Sequence, residues 1–114
     1  MSAVIVSLMH QQVTILKEEL SVSKILRIHG KKFSQVKRQF SDGYDGRCAI
    51  GVIMSYYGWD GKDDSDAPKR LSFALFALEN AGVSGKLIIK FNDSGATFDE
   101  IADYLDQTKG CRFG

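Results

Sequence analysis

The chain lacks paired cysteines. Cys48 and Cys111 are its two thiols, too few for a disulfide framework and without the C-x-x-C spacing of zinc or redox sites. Both read as reduced thiols of a cytoplasmic protein. Long apolar runs are missing as well. No stretch approaches the roughly 20 apolar residues of a membrane-crossing helix, so no membrane association is expected. The opening residues, MSAVIVSLM, have neither a basic leader nor a small-residue cleavage site, and polar His10, Gln11 and Gln12 end the run. No signal peptide is expected there. A surplus of one charge sign is absent too. Fifteen basic against fourteen acidic side chains give a net charge of +1, without the general pull toward phosphate shown by most nucleic-acid binders. There are no internal repeats and no low-complexity segments.

What is present is core material. Hydrophobic residues make up 44% of 114 positions, aromatics 11% and charged residues 25%, which suits one globular domain over 1–114. From Ile5 to Leu20 the residues Ile5, Met9, Val13, Leu16 and Leu20 recur every three or four positions, predicting an amphipathic helix. A second stripe of Val22, Ile25, Leu26 and Ile28 lies at a different angle, so a break is expected near Ser21, which can cap the second segment. Gly30 is a candidate stop. Phe33, Val36, Lys37 and Phe40 predict a short helix with a basic back, and SDGYDG after it predicts a loop.

CAIGVIMSYY, residues 48–57, is apolar on every side and reads as the central helix. Cys48, Gly51 and Ser55 share one face, a smooth strip where a neighbouring helix can approach. GWDGKDDSDAP reads as an exposed acidic loop, followed by a helix from Lys69 to Ala81 with Pro68 at its start and Gly82 at its end. Its core stripe is Leu71, Ala74, Leu75 and Leu78, with Phe73, Phe76 and Ala77 widening the apolar surface. KLIIKF, residues 86–91, is the best strand candidate, and AVIVSL, residues 3–8, can partner it. Thr97 and Glu100 form a capping box for a last helix whose inner face is Phe98, Ile101, Ala102 and Leu105; the tail from Gln107 is expected to fray. The fold expected is mainly α, a compact bundle of about five helices with one short extended segment. The alternative is α+β with a small two-stranded sheet.

Each candidate site has a plainer reading beside it. Cys48 follows a glycine-rich loop at an expected helix N-terminus, where the dipole favours thiolate; His29 or His10 is the candidate base and Asp45 or Asp42 its orienting carboxylate. A small buried thiol on an apolar helix is the commoner arrangement. Asn92 and Asp93 offer oxygen ligands, but their Ser-Gly successors favour a turn. Asp60, Asp63, Asp64 and Asp66 lack the glycine and terminal glutamate of an EF-hand, so neither a metal nor a cofactor is expected. Lys31, Lys32, Lys37 and Arg38, interleaved with Phe33 and Phe40, keep nucleic acid as an alternative partner against the plainer reading of a solvated face. Tyr56, Tyr57 and Trp59 either anchor a partner or close the core.

Three segments, RCAIGVIMSYYGW, ALENAGV and FNDSGATFDEIADYLD, together resemble small bacterial and phage-encoded proteins with a C-x-[LI]-G helix and an Asn-Asp motif before a capped [ST]-F-x-E-I helix. The matching positions are Cys48, Ile50, Gly51, Asn92, Asp93, Thr97, Phe98, Glu100 and Ile101, within residues 47–106. Many such proteins have a cysteine pair where this chain has Arg47 and Cys48. The resemblance implies an accessory protein of a mobile or phage-like element and brings no activity with it. The leading expectation is a non-enzymatic module that binds a protein partner or forms a homodimer. A nucleic-acid binder using residues 24–40 and a thiol enzyme using Cys48 are the alternatives.

Overall fold

Ser21 is extended, and its Oγ accepts the Lys24 N–H at 3.3 Å. This cap starts α1, Val22–Lys24, satisfying one of the free amides of a first helical turn. The helix widens into a π turn, Ile25–His29, and tightens into a 3₁₀ turn, Gly30–Lys32. The computed structural model describes residues 20–113, with side chains over 20–107. The expected first helix before Leu20, and residues 3–8, lie outside the described residues. Val22, Ile25 and Leu26 are buried as their stripe requires, whereas Ile28 is half exposed. Gly30 is not a left-handed stop. It is buried beneath the Phe98 ring, which stands where a Cβ would go.

Residues 31–40 do not form the expected helix. Phe33 turns extended, and β1, Ser34–Gln35, pairs in parallel with β2, Gly46–Arg47, with Ser34 opposite Gly46 and Gln35 opposite Arg47. The expected loop between them is present, and Asp42 shapes it by accepting the Tyr44 and Gly46 N–H groups at 2.8 and 3.0 Å.

The central helix is α2, Ala49–Tyr56, with Ala49, Ile50, Val52, Ile53 and Met54 completely buried. Its glycine face is indeed closely approached, though not by a helix. The Phe40 carbonyl lies where a Gly51 Cβ would stand, and the same carbonyl accepts the Cys48 N–H at 3.2 Å.

Helix α3, Ala67–Asn80, begins around Pro68 and ends before Gly82, whose φ of 83° is left-handed. Helix α4, Gly85–Asp93, replaces the expected strand at 86–91. Ser84 Oγ caps it through the Lys86 N–H at 3.1 Å, and Ile88 and Asn92, four apart, face inward.

Helix α5, Phe98–Phe113, opens with the capping box. Thr97 N–H donates to Glu100 Oε1 at 2.9 Å, and Glu100 N–H donates to Thr97 Oγ1 at 3.1 Å. The helix continues through the tail expected to fray. Arg27 reaches across to its outer face and pairs with Asp103 and Asp106 at 2.7 and 2.9 Å.

The fold is therefore mainly α with a small two-stranded sheet. Helix α2 packs against the π turn, α3 and α4, and the core is completed by Ala74, Leu78, Ile88, Ile101, Ala102 and Leu105. No single helix among the described residues is long and apolar enough to cross a membrane.

Candidate functional site

Cys48 occupies the N-cap of α2, and its Sγ accepts the Gly51 N–H at 3.4 Å. The expected helix N-terminus is present, yet the thiol is 4% exposed. Burial pushes its pKa up; the Gly51 and Ile50 amides oppose this more weakly, and the Asp93 charge adds to the rise. The thiol therefore stays protonated at neutral pH. His29 is held elsewhere: its ring packs edge-on against Tyr56 at 5.2 Å, and Nδ1 lies 3.1 Å from Lys32 Nζ. Burial and the Lys32 charge lower its pKa. Asp45 is exposed, with its carbonyl accepting the Ser34 N–H, and His10 lies outside the described residues. In a Cys111→Ser background, iodoacetamide should leave Cys48 unmodified in the native state at neutral pH and react at the rate of a free thiol once urea unfolds the chain. Rapid native alkylation would restore the nucleophile reading.

Beside Cys48 is a residue whose signal in the sequence is its place directly before the apolar run. Arg47 is 4% exposed, and among the described residues it forms no ion pair. Its guanidinium instead donates through Nε to Ser55 Oγ at 2.8 Å and through Nη1 to the Tyr44 and Gly46 carbonyls at 2.8 and 2.9 Å. Ser41 Oγ and the Asp60 carbonyl accept at 3.2 Å. The cation lies over the Phe33 ring at 4.5 Å and faces Trp59 at 5.8 Å, an arrangement suited to its planar, delocalised charge. Desolvation lowers its pKa, and the nearby Asp42, Asp45 and Asp60 charges oppose that. Gly61 passes so close that any Cβ would collide with the guanidinium. One side chain thus ties Phe33, just before β1, the 41–46 loop, α2 and the 58–63 loop together.

Trp59 is accordingly placed inside, 6% exposed, with its indole N–H donating to the Asp63 carbonyl at 3.0 Å. It closes the core instead of presenting an anchor. The acidic loop folds on itself: Asp60 Oδ1 accepts the Lys62 and Asp63 N–H groups, and Asp63 Oδ1 accepts from Ser65. These bonds hold both carboxyls below the usual range. A cleft of about 290 Å³ lies against Trp59, Phe40 and Lys62. Among the described residues no three His, Cys, Asp or Glu side chains converge to hold a metal.

Asn92 is 1% exposed and saturated. Its Oδ1 accepts Gln35 Nε2 at 2.7 Å and the Ala49 N–H at 3.0 Å. Its Nδ2 donates to the Val36 carbonyl at 2.8 Å and to Asp93 Oδ1 at 3.3 Å. An amide offers two acceptor and two donor positions, so all four are occupied by protein. Asp93 Oδ1 also accepts the Arg38 N–H at 2.9 Å. The pair lies in the last turn of a helix and binds neighbouring backbone, so the expected local turn becomes a long-range knot.

Tyr56 and Tyr57 are half-buried and form part of a ring series: His29 to Tyr56, Tyr56 to Tyr57 at 5.0 Å, and Tyr57 to Phe73 at 6.0 Å. Beyond it Phe76 is 63% exposed and Phe73 41%, three apart on the outer side of α3. Their spacing places both phenylalanines on a widened core face; their exposure marks them as surface. Lys31, Lys32, Lys37 and Arg38 are all exposed or half exposed at the surface and lie on the 3₁₀ turn and the bend after β1, not on an α-helix. No family model, curated protein or solved structure matches this chain.

Proposed function

We propose that this chain is a non-enzymatic, cytoplasmic interaction module that binds protein through the outer face of α3, with a second copy of itself as the first partner to test. The observation that carries this reading is the exposure of Phe73 and Phe76 in continuity with the half-buried Tyr57 ring. Two neighbouring phenylalanines on one helix face leave apolar area in water that association removes, and aromatic side chains bury much area at small entropic cost. Protonated Cys48 and saturated Asn92 weigh against the thiol-enzyme and small-ligand readings. The resemblance carried by Cys48, Gly51, Asn92 and Thr97 supports an accessory role on a mobile element.

Light scattering across micromolar to millimolar concentration tests the reading. The wild type should move from monomer toward dimer mass, and a Phe73→Ser, Phe76→Ser double variant with the same helical circular dichroism should remain monomeric. A wild type that is monomeric throughout overturns self-association, and a double variant that still dimerises removes α3 as the face.

A further inference from the structure

We propose that the surface around the β1–β2 connection is a docking site for single-stranded nucleic acid, independent of the α3 face. Tyr44 supplies a stacking platform, and Lys31, Lys32, Lys37 and Arg38 supply phosphate contacts. Tyr44 is 79% exposed, more than any other large hydrophobic described. Its backbone is nonetheless fixed, because its N–H is held by Asp42 Oδ1 and its carbonyl by the Arg47 guanidinium. A rigid backbone with its ring in water is a costly arrangement for a loop but a suitable one for stacking a base, since every base has a π face.

The parallel register brings one end of the basic segment beside Tyr44. Tyr44 lies two residues before Gly46 and Lys32 two before its partner Ser34, so both leave the sheet at the same end. Lys37 and Arg38 follow β1 at the other end, five and six residues beyond Lys32. Lys31, Lys37 and Arg38 form no ion pair among the described residues. Of the carboxylates near this segment, Asp42 in the connection and Asp93 at the end of α4 accept backbone N–H groups, while Asp45 is exposed.

Arg38 adds a second observation. Its φ is 63°, the one left-handed non-glycine conformation among the described residues, and the Asp93 carboxylate holds its N–H in place. Glycine occupies such a position at lower energy. An arginine there contributes a charge that the backbone does not need.

Fluorescence anisotropy with a labelled single-stranded 12-mer of RNA and of DNA, at about 50 mM salt, tests the site. The wild type should bind, and affinity should fall steeply as salt rises. Tyr44→Ala should weaken binding about tenfold while Tyr44→Phe retains it. Arg38→Gly should leave thermal stability unchanged or higher and still lower both affinity and the salt slope. Absence of binding at about 100 µM protein, the weak end of non-specific affinity, would overturn the proposal. So would affinity that Tyr44→Ala and Arg38→Gly leave unchanged, or equal affinity for polyglutamate.

Discussion

Replacing Arg47 by alanine should destabilise the protein by about 3 kcal/mol or more and lower its melting temperature by roughly 10–15 °C. The side chain is the shared donor for the Tyr44, Gly46 and Asp60 carbonyls and for two serine hydroxyls. Its removal leaves buried acceptors unpaired, each at a cost of about 1–3 kcal/mol, and empties the space between the Phe33 and Trp59 rings. Arg47→Lys separates charge from shape. An ammonium retains the charge but cannot point donors at Ser55, the 44–46 carbonyls and Asp60 together, so lysine should recover less than half of the loss in urea melts. A lysine variant as stable as wild type would show that a point charge suffices.

Asn92→Asp should give the second large effect, and one with a pH signature. A carboxylate can still accept from Gln35 and Ala49, but it faces the Val36 carbonyl and Asp93 Oδ1, to which the amide donates. Lone pairs then oppose lone pairs in a site 1% exposed, and a loss of about 2–4 kcal/mol at pH 7 results. The introduced acid should have a folded pKa above its unfolded value of about 3.9. Between those two values the folded state binds more protons, so the deficit relative to wild type should shrink as pH falls through the folded pKa and level off below the unfolded one. Asn92→Ala removes every partner at once and should show no such recovery. Parallel pH dependence of the two variants would refute the assigned orientation of the amide.

These two residues also show where the sequence was readable. Local rules worked wherever one segment contains its own partners: Thr97 with Glu100, Ser21 with the Lys24 amide, Pro68 and Gly82 around α3, and the all-apolar run of α2. They failed where the partner is distant. KLIIKF has the branched side chains of a strand, yet Ser84 caps it and Ile88 and Asn92 share an inward helical face; a cap two residues earlier is the signal for a helix. Residues 33–36 have helical spacing but are drawn extended by Arg47 under Phe33 and by Asn92 against Gln35 and Val36. The partners stand far apart in the chain, and no period in the sequence encodes their meeting. Arg47 itself has a faint signal, a cation directly before the apolar run CAIGVIMSYY.

The candidate sites divide in the same way. Cys48, Gly51, Asn92, Thr97 and Glu100 each serve the architecture, as cap, close approach, knot and capping box. The surfaces offered for binding use other residues, Phe73, Phe76, Tyr44 and Arg38, whose exposure only the folded backbone reveals.

The bond from the Ala49 N–H to Asn92 crosses 43 residues, and translation makes the two ends at different times. At about 5–20 residues per second, Ala49 waits roughly 2–9 s before its acceptor has been joined to the chain. Through that interval the most apolar helix exists without the side chain that seals its first turn. A nascent chain that ends before residue 92 therefore lacks the acceptor of the Ala49 N–H, and its core closes only once Ile101, Ala102 and Leu105 of α5 have followed.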